Sequence, residues 1–206
     1  CYTPFEEIFK STIDWQPHKR PVFGCFNNSA KISEEMLRLW LTLLRRVPGA
    51  KLLLKAWKPE ALLEKALSLG YRRGEIEVRP MTLDYVHEYM DMDIALDTFP
   101  YTGGGTTCEA IYMGVPVVTL AGTRHGTRFG LSLLENVGLG ELAARTPEEY
   151  VEKAATLASD GELLAALHKN LRRMIQCSPV MDGRSYVREV EAMYEGLWQE
   201  WLAGRE

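Results

Sequence analysis

The run from Met92 to Leu120, MDIALDTFPYTGGGTTCEAIYMGVPVVTL, admits few folds. It reads as strand, glycine loop, helix, strand. Asp93 to Asp97 is a short apolar run suited to a buried parallel strand. Thr98 to Gly105 is turn material. Thr106 to Met113 starts a helix that Gly114 stops, with Pro116 just beyond, and Val115 to Leu120 is a second buried strand. Gly103, Gly104 and Gly105 let the backbone approach a ligand with no side chain in the way. The helix behind them offers unpaired N–H groups and the positive end of its dipole, so the stretch has the makings of an anion site, with phosphate the usual anion. Thr106 and Thr107 add hydroxyls, and Glu109 lies one turn in, where a carboxylate can take two ribose hydroxyls. A plain turn with a threonine cap fits the same pattern.

The rest of the chain repeats the alternation. Residues 1–20 show no clear period and read as a connector with one helical turn near Phe5–Lys10. Pro21–Phe26 is a strand, followed by a loop, Asn27–Lys31. Ser33 caps a helix whose apolar positions Met36, Trp40, Leu43, Leu44 and Val47 lie on one face. Lys51–Trp57 is a strand, Pro59–Leu69 a helix, Glu75–Arg79 a strand, and Thr82 caps a short helix to Met90. After Leu120 come a loop, a helix from Thr127 to Val137, and a helix announced by Thr146-Pro147-Glu148-Glu149. Two more follow, Gly161–Gln176 and one from Arg184 with an apolar stripe of Val187, Val190, Tyr194, Leu197, Trp198 and Trp201. Strands alternating with helices imply right-handed crossovers and an α/β, doubly wound parallel sheet. Ligands of such sheets bind at the carboxyl ends of the strands, where the loops Asn27–Lys31 and Thr98–Thr107 lie.

Composition narrows the function. The chain of 206 residues is 46% apolar and 25% charged, and its net charge of −4 argues against a nucleic-acid surface. No apolar run reaches membrane-spanning length and no signal peptide is visible. Cys1, Cys25, Cys108 and Cys177 have no metal or CxxC spacing and read as reduced thiols of a cytoplasmic protein. GxGxxG is absent after the first strand, and so is GxxxxGK[ST], which weighs against a dehydrogenase or an NTPase. Lys31, in the loop after the first strand, is a point charge able to reach a diphosphate; a lone lysine is more often a solvated surface residue, and the case for it rests on its coincidence with the glycine loop. Arg124, His125 and Arg128 form a second basic cluster at a helix start, where cations are unfavourable unless an anion joins them. Tyr85 and His87 precede the fourth strand on the expected ligand side. No Ser-His-Asp set, catalytic carboxylate pair or metal cluster is present in the pattern.

Three stretches, FGCFNNSAKIS, IALDTFPYTGGGTTCEAIYMGVPVVTLAGTRHGTRFGLSLL and CSPVMDGRSYVREVEAMYEGLW, together resemble the carboxyl-terminal half of the catalytic region of the O-linked N-acetylglucosamine transferase family, most closely bacterial members with tetratricopeptide repeats upstream. The resemblance covers roughly residues 20–203. It implies the second, Rossmann-like domain of a GT-B glycosyltransferase, with residues 21–183 forming the nucleotide-sugar domain and 184–206 a helix packing back toward a first domain. It implies a UDP-sugar donor, UDP-N-acetylglucosamine above all, Ser/Thr acceptors on protein or peptide reached through upstream domains, and inverting transfer with no metal and no cofactor. Lys31 matches the family's diphosphate lysine and Asn28 its amide-bearing residue. Gly104, Gly105 and Thr106 match the diphosphate loop, and Glu109 the ribose carboxylate. Animal members carry histidine at the position of Gly104, so backbone donors must serve here. The family's lysine, histidine and arginine near the uracil fall at Thr82, Tyr85 and Glu88. The residues of proton removal lie outside this chain, which alone is expected to be inactive and, through its last helix, to self-associate. Two other classes stay open: a nucleotide-sugar-binding or interaction domain that transfers nothing, and another GT-B enzyme such as a nucleotide-sugar epimerase.

Overall fold

The computed structural model describes residues 1–204. Six parallel strands, β1 (Val22–Cys25), β2 (Lys51–Ala56), β3 (Ile76–Pro80), β4 (Ile94–Leu96), β5 (Val117–Leu120) and β6 (Ala143–Ala144), form one sheet in the order β3-β2-β1-β4-β5-β6. The eight helices among the described residues are α1 (Glu6–Lys10), α2 (Glu34–Arg46), α3 (Pro59–Ser68), α4 (Gly105–Tyr112), α5 (Phe129–Val137), α6 (Pro147–Ser159), α7 (Gly161–Gln176) and α8 (Gly183–Ala203). The chain winds outward one way from β1 and the other way from β4, so β1 and β4 lie side by side, Phe23 level with Ile94 and Gly24 with Ala95. Their carboxyl ends diverge into a crevice at this reversal, the usual ligand position of such sheets.

Local chemistry explains most boundaries. Ser33 accepts from Met36 N at 3.2 Å to open α2, and Thr146 from Glu149 N at 3.1 Å to open α6. Met36, Trp40, Leu43 and Leu44 are buried as their spacing requires, and α2 packs on α6 while α4 packs on α7. Gly114 and Gly138 end their helices at φ +82° and +84°, values that side-chain-bearing residues rarely adopt.

Three expectations are corrected. Thr82 caps no helix: its hydroxyl accepts from Lys55 Nζ, and the segment that follows is a 3-10 helix, Val86–Asp91. The helix expected from Thr127 is a 3-10 turn, His125–Thr127, followed by α5. The two-residue β6 was not expected, because Ala143-Ala144 has neither β-branching nor alternation.

The connector is strapped to the sheet. Ile8 is buried, Arg172 of α7 donates to Ser11 O at 2.7 Å, and Asp93 receives Trp15 Nε1 at 3.1 Å and Val22 N at 2.7 Å. His18 Nδ1 lies 2.8 Å from the same carboxylate. Trp15 stacks on the buried His168 ring at 3.7 Å and 5°. The last helix differs: α8 touches mainly the 3-10 turn Pro179–Met181, and Trp198 and Trp201, stacked on each other, are 53% and 45% exposed. Residues 205–206 of the expected terminal helix lie outside the described residues. None of the described helices is long and apolar enough to cross a membrane.

His168 yields a prediction about pH. Its Nε2 donates to Asp93 O at 2.8 Å, leaving Nδ1 buried without a partner, and burial lowers its pKa to about 4. The folded chain holds the imidazole neutral, so between pH 6.5 and about 4 the unfolded chain binds more protons. Stability is therefore full above pH 6.5 and falls as pH drops through that window, by about 3 kcal/mol in all. Urea unfolding across this range is expected to show the loss, and His168→Gln, which keeps a donor toward Asp93, is expected to flatten it. An unchanged slope in the variant contradicts the assignment.

Candidate functional site

The crevice between β1 and β4 is built around the carboxylate of Asp97, which follows β4 and is 2% exposed. Its Oδ1 receives Gly103 N at 2.6 Å, Thr98 N at 2.9 Å and Asn27 Nδ2 at 2.9 Å; Oδ2 receives Thr119 Oγ1 at 2.7 Å. Burial pushes the Asp97 carboxyl above the usual range while these donors pull it down, and the net shift is upward. Three N–H donors fix Oδ1 as an acceptor in either protonation state. The Asn27 amide is thereby oriented with its NH₂ toward Asp97 and Thr98, and its Oδ1 accepts the hydroxyl of Thr106. A chain of oriented dipoles thus runs from Asp97 through Asn27 to the first turn of α4.

This network sets the glycine loop. Gly103 is pinned by its N–H to Asp97, and an added Cβ there would lie 2.8 Å from Asn27 Oδ1 and 3.0 Å from Thr106 Oγ1. Gly104, with no side chain to cap α4, and Gly105 both face open space. The N–H groups of Gly105, Thr106 and Thr107 therefore open the helix without a side-chain partner from Gly104, at the positive end of its dipole. The threonine hydroxyls expected as donors are partly spent: Thr106 gives its proton to Asn27, and Thr107 is buried with Oγ1 against Gly103. What this loop offers a ligand is therefore backbone N–H groups rather than threonine hydroxyls.

Lys31 lies against the same loop. It ends the 3-10 turn Ser29–Lys31, and its Nζ donates to Thr102 O at 3.1 Å and lies 4.1 Å from the centroid of the Tyr101 ring. Asn28 is exposed and caps that turn, accepting from Ala30 N at 3.0 Å. The loop with Arg124, His125 and Arg128 is brought alongside, since Thr102 Oγ1 donates to Gly126 O at 3.2 Å. All three side chains are exposed, and a cavity of about 400 Å³ opens among Phe99, Pro100, Gly122, Arg124, Thr127 and Arg145. A larger cavity, about 860 Å³, lies along the start of α8 between Ser132, Asp182 and Tyr186 and holds none of these residues.

Three expected residues lie apart from the glycine loop. Glu109 is buried, and its Oε2 accepts from Tyr89 OH at 3.2 Å. Burial holds its carboxyl above the usual range despite the phenols of Tyr85 and Tyr89 beside it. His87 is exposed on the 3-10 helix Val86–Asp91 and Tyr85 is half-buried at its start, near Glu109.

Asn27, Asp97, Tyr101 and Lys55 escaped sequence reasoning. The signal for Lys55 was present: a lysine inside the apolar strand KLLLKA. It is 1% exposed and pairs with Glu88 at the carboxyl ends of β2 and β3, donating to Thr82 Oγ1 at 3.0 Å as well. Burial raises the Glu88 carboxyl, but hydrogen bonds from Lys55 and Arg79 outweigh it and hold the group low. A cation thus reaches the place of Thr82 and Glu88 from a neighbouring strand. The buried thiols of Cys25 and Cys108 are pushed up to about 12 by burial and offer no nucleophile. No cluster of metal-binding side chains occurs among the described residues.

Residues 10–190 match glycosyl transferase family 41. A probable UDP-N-acetylglucosamine–peptide N-acetylglucosaminyltransferase SPINDLY of Hordeum vulgare is 43% identical over 192 residues, 88% of this chain and 20% of that protein. A mutant of Thermobaculum terrenum O-GlcNAc transferase is 37% identical with a TM-score of 0.82, over 93% of this chain and 38% of that one. WaaG, a glycosyltransferase involved in lipopolysaccharide biosynthesis, is 16% identical with a TM-score of 0.60 over 84% of this chain and 47% of that one, and shares the fold. The chain spans about a fifth of the length of the curated relatives it matches. Its sheet is that of a Rossmann-like domain of a GT-B glycosyltransferase.

The network makes a testable demand. Asn27→Asp places a second carboxylate against Asp97 with one donor fewer. Of two carboxylates sharing a site, one has its pKa raised, so the variant loses stability as pH rises above about 4. A loss of at least about 2 kcal/mol at pH 7, shrinking toward pH 4, is expected in urea unfolding. Gly104→Ala, with open space around it, is expected to leave stability within about 0.5 kcal/mol. Equal tolerance of both substitutions contradicts the proposed network.

Proposed function

The chain belongs to glycosyl transferase family 41, and on that premise we propose that it is the donor-binding half of an inverting, metal-independent protein O-glycosyltransferase. The donor in this reading is a UDP-sugar, UDP-N-acetylglucosamine first, and the acceptor is a Ser or Thr hydroxyl of a protein or peptide. The observation that carries it is the meeting of the Lys31 ammonium with the uncapped start of α4 at the β1/β4 reversal, where Nζ lies 3.1 Å from Thr102 O. The diphosphate contacts are Lys31 and the amides of Gly104, Gly105 and Thr106, with Asn28 at the rim and Glu109 on the ribose side. Tyr85, His87 and the cluster Arg124, His125 and Arg128 border the donor.

The chemistry follows from charge. The acceptor oxygen attacks the anomeric carbon from the face opposite the leaving group. The carbon–oxygen bond to the diphosphate breaks, and the diphosphate gains negative charge in the transition state. A fixed ammonium, fixed amides and a helix dipole stabilise that charge with little reorganisation and take the part a divalent cation plays elsewhere. The group that accepts the hydroxyl proton, the repeats that hold the acceptor and a cytoplasmic setting belong to the longer enzyme in this reading. The exposed face of α8 packs on that enzyme's first domain. Freed from it, the chain is expected to associate with itself in light scattering, less so after Trp198→Ala plus Trp201→Ala; a concentration-independent monomer contradicts the assignment of α8.

A binding domain that transfers nothing is the second reading, favoured by Thr82 and Glu88 at the base-side positions. Turnover by the longer enzyme separates the two.

Calorimetric titration of this chain with UDP, UDP-N-acetylglucosamine, UDP-glucose and GDP-sugars tests the donor site. Weak binding of the UDP compounds and no sugar transfer are expected. Preference for GDP compounds reassigns the base, absence of all binding refutes the donor site, and robust transfer from these 206 residues refutes the half-site reading. In the longer enzyme, Lys31→Ala is expected to lower kcat about 100-fold, more than it raises donor KM; an unchanged kcat makes Lys31 an ordinary surface residue.

A further inference from the structure

We propose that Tyr101 is a positioning residue that holds the Lys31 ammonium at the mouth of the glycine loop before any ligand arrives. This rests on the reading of Lys31 as the diphosphate contact and adds how that contact is prepared.

Lys31 belongs to the turn after β1 and Tyr101 to the loop after β4, so the pair meets across the reversal point of the sheet. The ammonium lies 4.1 Å from the ring centroid, within cation–π range. Its second anchor is Thr102 O at 3.1 Å. That carbonyl belongs to a fixed piece of backbone: Thr102 is buried, its hydroxyl donates to Gly126 O, and the next residue, Gly103, is tied to Asp97. Tyr101 is 60% exposed, so burial does not account for an aromatic residue here. What it does contact is the ammonium.

The energetic argument concerns order. A lysine stem has four rotatable bonds, and fixing it on a ligand costs side-chain entropy. A lysine already held by a ring and a carbonyl has lost much of that freedom in the free protein, so less is lost on binding. One of the three ammonium protons goes to Thr102 O, which leaves two for an anion. The ring takes none, because its attraction acts through the π face. Tyr101 thus restrains the charge without using up its donors, and its hydroxyl has no part in the role.

Two measurements on the 206-residue chain test this, one of them without ligand. In the free chain, the Lys31 ε-methylene protons are expected upfield of those of exposed lysines, shielded by the ring. The shift is expected to persist in Tyr101→Phe and vanish in Tyr101→Leu. With UDP as the probe, Tyr101→Leu is expected to bind about two- to fivefold more weakly and Tyr101→Phe as the parent chain does. In a Lys31→Ala background, Tyr101→Leu is expected to add nothing. Ordinary Lys31 shifts in the free chain, equal losses in the Phe and Leu variants, or a full effect of Tyr101→Leu without Lys31 each overturn the proposal. A parent chain with shielded Lys31 protons that binds neither UDP nor GDP overturns the donor-site reading itself, and the positioning role falls with it.

Discussion

A single buried carboxylate organises this domain. Asp97 collects donors from four segments: the loop after β1, its own chain neighbour Thr98, the glycine loop and β5. Tyr150 of α6 donates to the Asp97 carbonyl at 3.0 Å and accepts Trp40 Nε1 of α2, which ties two helices to the same residue. Taking a carboxylate out of water is costly, and only a full set of hydrogen bonds offsets it. The arrangement therefore tolerates few alternatives: moving any of these segments leaves a buried oxygen or amide unpaired. The rigidity needed at the loop comes from this intolerance.

The consequence is a division of charge at the carboxyl edge of the sheet. Near β1 and β4, the acidic group is Asp97, buried and saturated with donors, while the surface presents Lys31 and the backbone N–H groups of α4. Near β2 and β3, Lys55, Arg79, Glu88 and Asp91 neutralise one another. An anion arriving at this edge finds unspent positive potential at the first place and a closed ion-pair network at the second. In the proposed reading, that asymmetry directs a diphosphate to the glycine loop and leaves the other end for a group read by hydrogen bonds.

The architecture was legible because it is written locally. Five of the six strands, the Ser33 and Thr146 caps and the buried face of α2 follow from short-range pattern, as does the glycine loop that opens α4. The amphipathic stripe of α8 was legible too, and its exposure toward Trp198 and Trp201 followed from the resemblance to one half of a two-domain enzyme rather than from the stripe itself. The site's supporting chemistry was hidden by distance in sequence. Asn27 and Asp97 lie 70 residues apart, and nothing in FNNSAK marks Asn27 rather than Asn28 as the buried amide. Thr82 looked like a cap because a threonine before a polar segment usually is one, but Lys55 on a neighbouring strand claimed its hydroxyl. Thr106 looked like a ligand donor because its proton's commitment to Asn27 appears only in three dimensions.

The central claim is that the Asp97 network holds the loop ready, so that a diphosphate binds to backbone amides and Lys31 without rebuilding them. A crystal structure of the chain with UDP tests it most directly. The account predicts phosphate oxygens within about 3 Å of the amide nitrogens at the start of α4 and of Lys31 Nζ, with the Asp97–Asn27–Thr106 hydrogen bonds unchanged. A diphosphate bound elsewhere, or a loop that breaks those bonds to receive it, contradicts the account.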